Sequence, residues 1–503
     1  MLLAALAAVV LAVSSGAQDA PHPSVVVIMT DDQTYEDMAA MPLTRRLVGG
    51  AGTTFRNAYA SYPLCCPSRA TFLTGQYAHN HGVRTNTPPH GGVEALDAER
   101  TLPVWLSRGG YDTSHIGKYL NGYGLRRSPT VPPGWRDWHA TIDKSTYQMW
   151  GYRMHENGSE NTYGNFDDED PSLYQTDVLR DKALQFIDGH GADSEPFFLS
   201  LNFVAPHGEV AEPGSLTRPY VRPAPRHEGR FRGLRLPRIT TAGESDVSDK
   251  PPVVRRLSSV RGSRSQRILD DYRARRESLL AVDEAVAAVI GALERTGRLG
   301  STYVAVTSDN GFFQGEHRIT KGKYLAYEPS THVPLLIRGP GIAPGTVSDE
   351  LVSNADLGPT VLDVAGATAD IPVDGRSILP FARAPGLRSA RPILHEGLIP
   401  GDIDRDGTKR PGSTVGVYYA IRTSRYLYVR WKGGARELYD RRRDPRELDS
   451  RHADPRYRKV AGVLGRELQR LRGCSGPDCA RDLQGLDARL AQARPSATRR
   501  VDG

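Results

Sequence analysis

The stretch SVVVIMTDD, Ser24 to Asp32, decides the fold. From Val25 to Met29 the side chains are apolar without a break, and after Thr30 comes an acid pair. A strand with one wet face alternates apolar and polar residues. An unbroken Val/Ile run marks a strand buried on both faces, the habit of parallel sheets covered by helices. A second stretch, TYVAVTSDN from Thr302 to Asn310, has the same design and ends on Asp309 and Asn310. In open parallel sheets, sites gather outside the carboxyl ends of the strands. Both acidic pairs are therefore expected on one sheet edge.

Working outward, PFFLSLNFV (Pro196 to Val204) and VPLLIRG (Val333 to Gly339) read as further strands. Val178, Leu179, Ala183, Leu184 and Ile187 recur at helical spacing. A longer helix is predicted from about Ser265 to Thr296. Its apolar face carries Leu279, Val282, Val286, Val289, Ile290 and Leu293, and Gly297 is its stop. Strands interleaved with helices predict an α/β fold: a large mixed, mostly parallel sheet sandwiched by helices. Residues 18–386 form the catalytic domain in this reading. Within it, 207–264 is rich in Pro, Arg, Gly and Ser and reads either as a surface insertion loop, a candidate lid, or as a basic segment with no role. Residues 387–485 read as a C-terminal α+β subdomain with an antiparallel sheet and a closing helix, and 486–503 as a tail.

The first residues, 1–17, read as a secretory signal, with Leu2 to Val13 too short to span a bilayer and Ser15-Gly16-Ala17 as the cleavage site. No Lys or Arg precedes Arg45, so the usual basic start is missing, and a buried N-terminal helix is the alternative. No other segment is long and apolar enough to cross a membrane. A secreted or extracytoplasmic location is expected. Over the 503 residues, Lys and Arg number 65 against 58 Asp and Glu, a net charge of +7. Arg is scattered along the chain, so the excess reads as a solvated surface, and no nucleic-acid partner is expected. Of the four cysteines, Cys474 and Cys479 can close a small disulfide loop in an oxidising compartment. Cys65 and Cys66 need another explanation, because adjacent cysteines rarely bridge.

They lie in PLCCPSRATFLTGQYAHNHG, Pro63 to Gly82. Pro67 suits the first turn of a helix and Gly75 its stop. Cys65 is then expected just ahead of the helix, where free N–H groups and the dipole favour negative charge. Arg69 adds a fixed cationic fork. The stretch is an anion site with sulfur at its entrance.

Cys65-Cys66-Pro67-Ser68-Arg69 with Leu73-Thr74-Gly75 resembles the signature C-x-P-S-R-x-x-x-L-T-G of the sulfatase family, in the alkaline-phosphatase-like superfamily. The resemblance implies that Cys65 is oxidised to formylglycine by a formylglycine-generating enzyme. It also implies that Asp31, Asp32, Asp309 and Asn310, together with residue 65, hold a metal ion. Three carboxylates and an amide oxygen are hard ligands that suit Ca²⁺, with Mg²⁺ as the alternative, and not zinc. The block GKYLNGYG then supplies a substrate-binding lysine, Lys118, and NFVAPH the active-site histidine, His207. KGKYLAYE supplies a second lysine, Lys323 rather than Lys321. Many sulfatases have histidine two residues after the first lysine; this chain has Leu120 there.

The implied reaction is sulfate-ester hydrolysis. One hydroxyl of hydrated formylglycine attacks sulfur and displaces the alcohol; the second then expels sulfate. Arg69, Lys118, Lys323 and the metal offset the developing charge, and His207 is the candidate acid for the leaving alcohol. The G-K-Y-L-N reading is similar to the branch of the family acting on the 6-sulfate of N-acetylglucosamine, so the expected partner is a sulfated sugar or glycosaminoglycan. Three alternatives stand: a general arylsulfatase, a phosphonate or phosphate-ester hydrolase of the same superfamily, and a sulfated-glycan-binding protein without catalysis.

Overall fold

The computed structural model describes residues 22–493 apart from 168, 193–194, 210–220, 238–243, 401–413 and 484. The expected signal, 1–17, lies outside the described residues. Ten strands form the main sheet: β1 (Ser24–Thr30), β2 (Thr53–Tyr59), β3 (Asp112–Gly117), β4 (Asp137–Thr141), β5 (Tyr152–Glu156), β6 (Ser159–Tyr163), β7 (Phe197–Asn202), β8 (Thr302–Ser308), β9 (Leu335–Arg338) and β10 (Thr346–Ser353). Their order is β10-β2-β9-β8-β1-β7-β3-β4-β5-β6. β8, β1, β7, β3 and β4 are parallel neighbours, with Val25 of β1 opposite both Phe198 and Tyr303. The fold is thus the expected mixed, mostly parallel sheet.

The unbroken apolar run of β1 has a direct cause. Val25, Val27 and Met29 face a core that includes Phe72, Leu73, Leu357 and Val361 on the helices Cys65–Thr74 and Leu357–Ala365. Val26 and Ile28 point the other way, onto Leu179, Leu279, Val282 and Val286 of the helices Gln175–Asp188 and Ser263–Arg295. Burying each such side chain contributes about 1.5–3 kcal/mol, so a polar residue on either face of β1 is costly. The long helix spans about 50 Å at 1.5 Å per residue. It ends where the sequence predicts: Gly297 has φ of 71° and donates to Glu294 O, and Arg298 N–H donates to Leu293 O at 2.8 Å. That paired closure is a Schellman motif, which needs the left-handed backbone glycine adopts without strain.

VPLLIRG does form a strand, but β9 runs antiparallel to both β8 and β2. β8 leaves the sheet at its carboxyl edge and β9 re-enters from the same edge, so it must run in reverse. The connection between them, which carries Lys323, therefore stays on that edge.

A separate antiparallel sheet follows: β11 (Ile393–Pro400), β12 (Thr414–Arg422), β13 (Tyr426–Trp431) and β14 (Arg436–Asp440). The helix Arg458–Leu471 packs on it through Val460, Leu464 and Leu468, and Cys474 and Cys479 are disulfide-bonded. The tail expected from 486 begins instead as a helix, Leu486–Gln492. Leu486 and Leu490, one turn apart, are buried in the same core as Leu464 and Leu468, and that burial is what orders it. Within 207–264 many described residues are exposed, but parts of the segment are anchored. Arg222 is buried against the Trp150 and Phe166 rings and pairs with Glu209 and Glu169. Val247, Val253 and Val254 share a core with Tyr418, Leu427 and Tyr439 of the second sheet.

Candidate active site

Asp31 and Asp32 follow the last residue of β1, Lys118 follows β3, and Asp309 and Asn310 follow β8. β7 ends at Asn202 and leads to His207; β2 ends at Tyr59 and leads into the helix Cys65–Thr74. These five strands run the same way, so all these residues meet at one edge of the sheet. Cys65 is the first residue of its helix rather than the residue ahead of it, and Leu64 provides no side-chain cap. Gly75, at φ of 68°, closes the helix by donating to Thr71 O at 2.8 Å.

Around Cys65 the contacts are close. Its Sγ lies 3.3 Å from Asp31 Oδ1 and 2.8 Å from Lys323 Nζ. Lys118 Nζ donates to Asp31 Oδ2, and Lys323 Nζ to Asp32 Oδ1. Asn310 Nδ2 donates to Asp32 Oδ1 at 2.6 Å, and the Asp32 amide donates to Asp309 Oδ1 at 3.2 Å. Arg69 donates from Nε to Asp309 Oδ2 at 2.8 Å, and from Nη1 to Lys118 O and Asn202 Oδ1 at 2.9 and 3.1 Å. Its Nη2 is buried with no hydrogen-bond partner. His207 reaches Asp32 Oδ2 at 3.6 Å, and its side chain is 21% exposed where that of Asp32 is 1%, so the site opens on the histidine side.

Burial works against charge here, and pairing restores it. Burial would raise Asp31; Lys118, His207, Lys323 and Arg69 together hold its carboxyl well below the usual range. Burial would lower Lys118 and Lys323, and the carboxylates and Cys65 hold both well above the usual lysine value. Burial and the adjacent Asp31 push the Cys65 thiol up to about 12, so the sulfur stays protonated and is a poor nucleophile as it stands. Burial draws His207 down against the pull of Asp32 and Asp31. Its Nδ1 lies 2.6 Å from Gly208 O, which assigns the proton to that nitrogen and leaves Nε2 an acceptor.

The sulfatase family model matches residues 23–367, most of the chain and all of the residues just described. The chain belongs to the sulfatase family. It is a sulfuric ester hydrolase, and the convergence of cations on Cys65 lies within the matched region. The N-acetylglucosamine-6-sulfatase of Capra hircus is 34% identical over 93% of this chain and 87% of its own length. The arylsulfatase of Volvox carteri is 31% identical over 91% of this chain and 76% of its own. A solved structure holding its substrate D-glucosamine-2-N,6-O-disulfate superposes with a TM-score of 0.73 at 24% identity, over 89% of this chain and 97% of that one.

Two observations test whether this sulfatase can hold a cation. Ligand atoms of Asp31, Asp32, Cys65 and His207 lie within 4.8 Å of one another. The amide oxygen of Asn310 is buried beside them with no hydrogen-bond partner, the state a cation relieves. The oxygen-rich set fits a hard divalent ion. Leu120 is buried in the apolar core with Tyr119, Tyr123 and Trp138, so the position that is histidine in many sulfatases is a packing position here.

Sequence reasoning missed several members of the site. Ser68 Oγ bonds Asp309 O and accepts from Asn354 Nδ2 at 2.8 Å, tying the helix to the β8 exit. Tyr147 lies under Lys118 at 4.8 Å and against the His207 ring at 4.5 Å. Ser68 stood in the C-x-P-S-R motif but was given no role, and Tyr147 carried no local signal. Arg275 did: it falls one helical turn before Leu279 and two before Val282, on the apolar stripe of the long helix.

Proposed function

We propose that this sulfatase removes the 6-sulfate of N-acetylglucosamine in sulfated glycans, with residue 65 matured to formylglycine and a Ca²⁺ held at the carboxyl edge of β1 and β8. The observation that carries the reading is the meeting of Cys65, Lys118, Lys323 and Arg69 over the acid pairs. The relatives' names supply the sugar. The disulfide Cys474–Cys479 favours an oxidising, extracytoplasmic location. Among the described residues no helix is long and apolar enough to cross a membrane.

Asp31, Asp32, Asp309 and Asn310 would hold the cation, whose chemistry is Lewis-acid polarisation of a sulfuryl oxygen. Formylglycine at position 65 would supply one hydroxyl for attack on sulfur and a second by which sulfate departs. The chain's own residues do the rest. Asp31, Asp32 and Asp309 are matched by Lys118, Lys323 and Arg69, so the edge is near neutral by itself and a divalent ion turns it positive toward a sulfate ester. Arg69 Nη2, buried and unpartnered, is a donor that a sulfuryl oxygen satisfies. Lys118 and Lys323 are held charged by the carboxylates and stabilise the equatorial oxygens as charge builds. His207 Nε2, an acceptor at rest, takes the proton of the attacking hydroxyl and returns it to the leaving alcohol on the open side of the site. In this proposal residues 18–386 carry the chemistry and 387–485 brace it.

Turnover of N-acetylglucosamine 6-sulfate, its 4-sulfate isomer, glucosamine N-sulfate, an aryl sulfate and the matched aryl phosphate tests the reading. A preference for the 6-sulfate is expected. Equal rates on aryl sulfate, or faster phosphate release, sink the sugar assignment. Mass spectrometry of the peptide bearing residue 65 tests the maturation, and an unmodified thiol in active protein overturns it.

A further inference from the structure

The sheet's hydrogen-bond ladder ends at Thr30, Asn202 and Ser308, and the site lies beyond it. Asp32, His207 and Asn310 therefore sit on chain exits that the ladder does not hold. One side chain reaches all three exits. Arg275, on the helix Ser263–Arg295 and 1% exposed, donates from Nη2 to the carbonyl of Asp32 and from Nη1 to that of Pro206 at 3.0 Å. Its guanidinium lies over the ring of Phe312, on the β8 exit, at 4.4 Å. Asp37 supplies the counter-charge, with Oδ2 3.8 Å from Arg275 Nη2 and Oδ1 3.5 Å from Arg276 Nε.

Asp32 makes such a tie necessary. Its φ of 68° is in the left-handed region, which a residue with a side chain enters only where its surroundings dictate it. Its amide is fixed by Asp309 Oδ1 and its carbonyl by Arg275. A planar, permanently charged fork can hold two carbonyls at once; an ammonium offers a point charge and no fixed fork.

We infer that Arg275 is a positioning residue of the sulfatase site, setting the backbone of Asp32 and of the Pro206–His207 exit so that their side chains meet the cation. It rests on the reading that the cluster around Asp31 and Asp32 binds a divalent ion. The test is calorimetric titration of Ca²⁺, and separately Mg²⁺, into chelator-treated full-length protein, with thermal unfolding and aryl-sulfate kinetics alongside. Arg275→Met is expected to weaken cation binding by about 10–100-fold and to lower kcat more than it raises KM. Arg275→Lys, which keeps the charge and one donor direction, is expected to lie between the two. Wild-type protein that binds neither ion overturns the cation reading, and this inference with it. Wild-type binding together with unchanged affinity in folded Arg275→Met overturns the inference alone. If Arg275→Met does not fold, unchanged affinity in Arg275→Lys overturns it; if neither folds, unchanged affinity in Phe312→Leu, which removes the ring beneath the guanidinium, does so.

Discussion

Lys323 Nζ lies 2.8 Å from Cys65 Sγ across 258 residues of sequence, while also donating to Asp32. One ammonium thus touches both the residue proposed to be matured and a proposed cation ligand. Lys323→Ala should lower kcat about a hundredfold, or ~3 kcal/mol in the barrier, because the charge it offsets develops in the transition state. Steady-state kinetics on an aryl sulfate check it. A loss confined to KM would mean that Lys323 only binds substrate.

Position 65 needs two hydroxyls on one carbon for turnover in the proposed reaction. Cys65→Ser supplies one. The variant should accept a sulfuryl group once and stop, and intact-mass measurement should show a single stoichiometric addition without product turnover. Sustained turnover by Cys65→Ser would remove the need for formylglycine.

Cation binding to the native state should appear as stability. At about a hundred times its dissociation constant, Ca²⁺ should add about 2.7 kcal/mol by mass action. Asp32→Asn should lose most of that gain, measured as the calcium-dependent rise in melting temperature. A rise of the same size in the variant would place the ion elsewhere.

The second sheet reaches the site through a buried ion network. Arg422 on β12 is fully buried, pairs with Glu328 at 2.7 Å and Glu447 at 3.2 Å, and donates to Ala326 O at 3.3 Å, in the segment that follows Lys323. Arg422→Met leaves buried Glu447 and partly exposed Glu328 with Arg441 as their remaining arginine, and should cost about 3 kcal/mol of stability. Denaturant unfolding measures it. The folded fraction should also show reduced kcat, because the Lys323 segment loses its brace.

His115 on β3 is buried among Trp135, Trp138 and Tyr119. Burial first, then the charge on Arg69, draws it from 6.5 down to about 3. Below about pH 6.5 the unfolded chain takes up this proton and the native state does not, so stability falls as pH falls through that window, by about 1.4 kcal/mol per pH unit. His115→Phe should flatten the slope of unfolding free energy against pH by that amount between pH 6 and 4. Parallel slopes in variant and wild type would show that the native ring is charged.

The sequence by itself determined the layers and the chemistry. Val25–Met29 and Thr302–Val306 announce strands buried twice over, and the acid pairs that end them announce their edge, because both signals are local and carried by neighbouring residues. The motif around Cys65 points to the proposed nucleophile position for the same reason. What only the tertiary structure decided lies in contacts between distant segments. β9 runs antiparallel because its connection returns along the site's edge, the helix Leu486–Gln492 is ordered by a core formed elsewhere in the chain, and Arg275 grips two carbonyls far from its own helix turn. A buried guanidinium on an apolar stripe is visible in sequence. Its partners are backbone groups, which every residue possesses, so no residue type betrays them until the chain is folded.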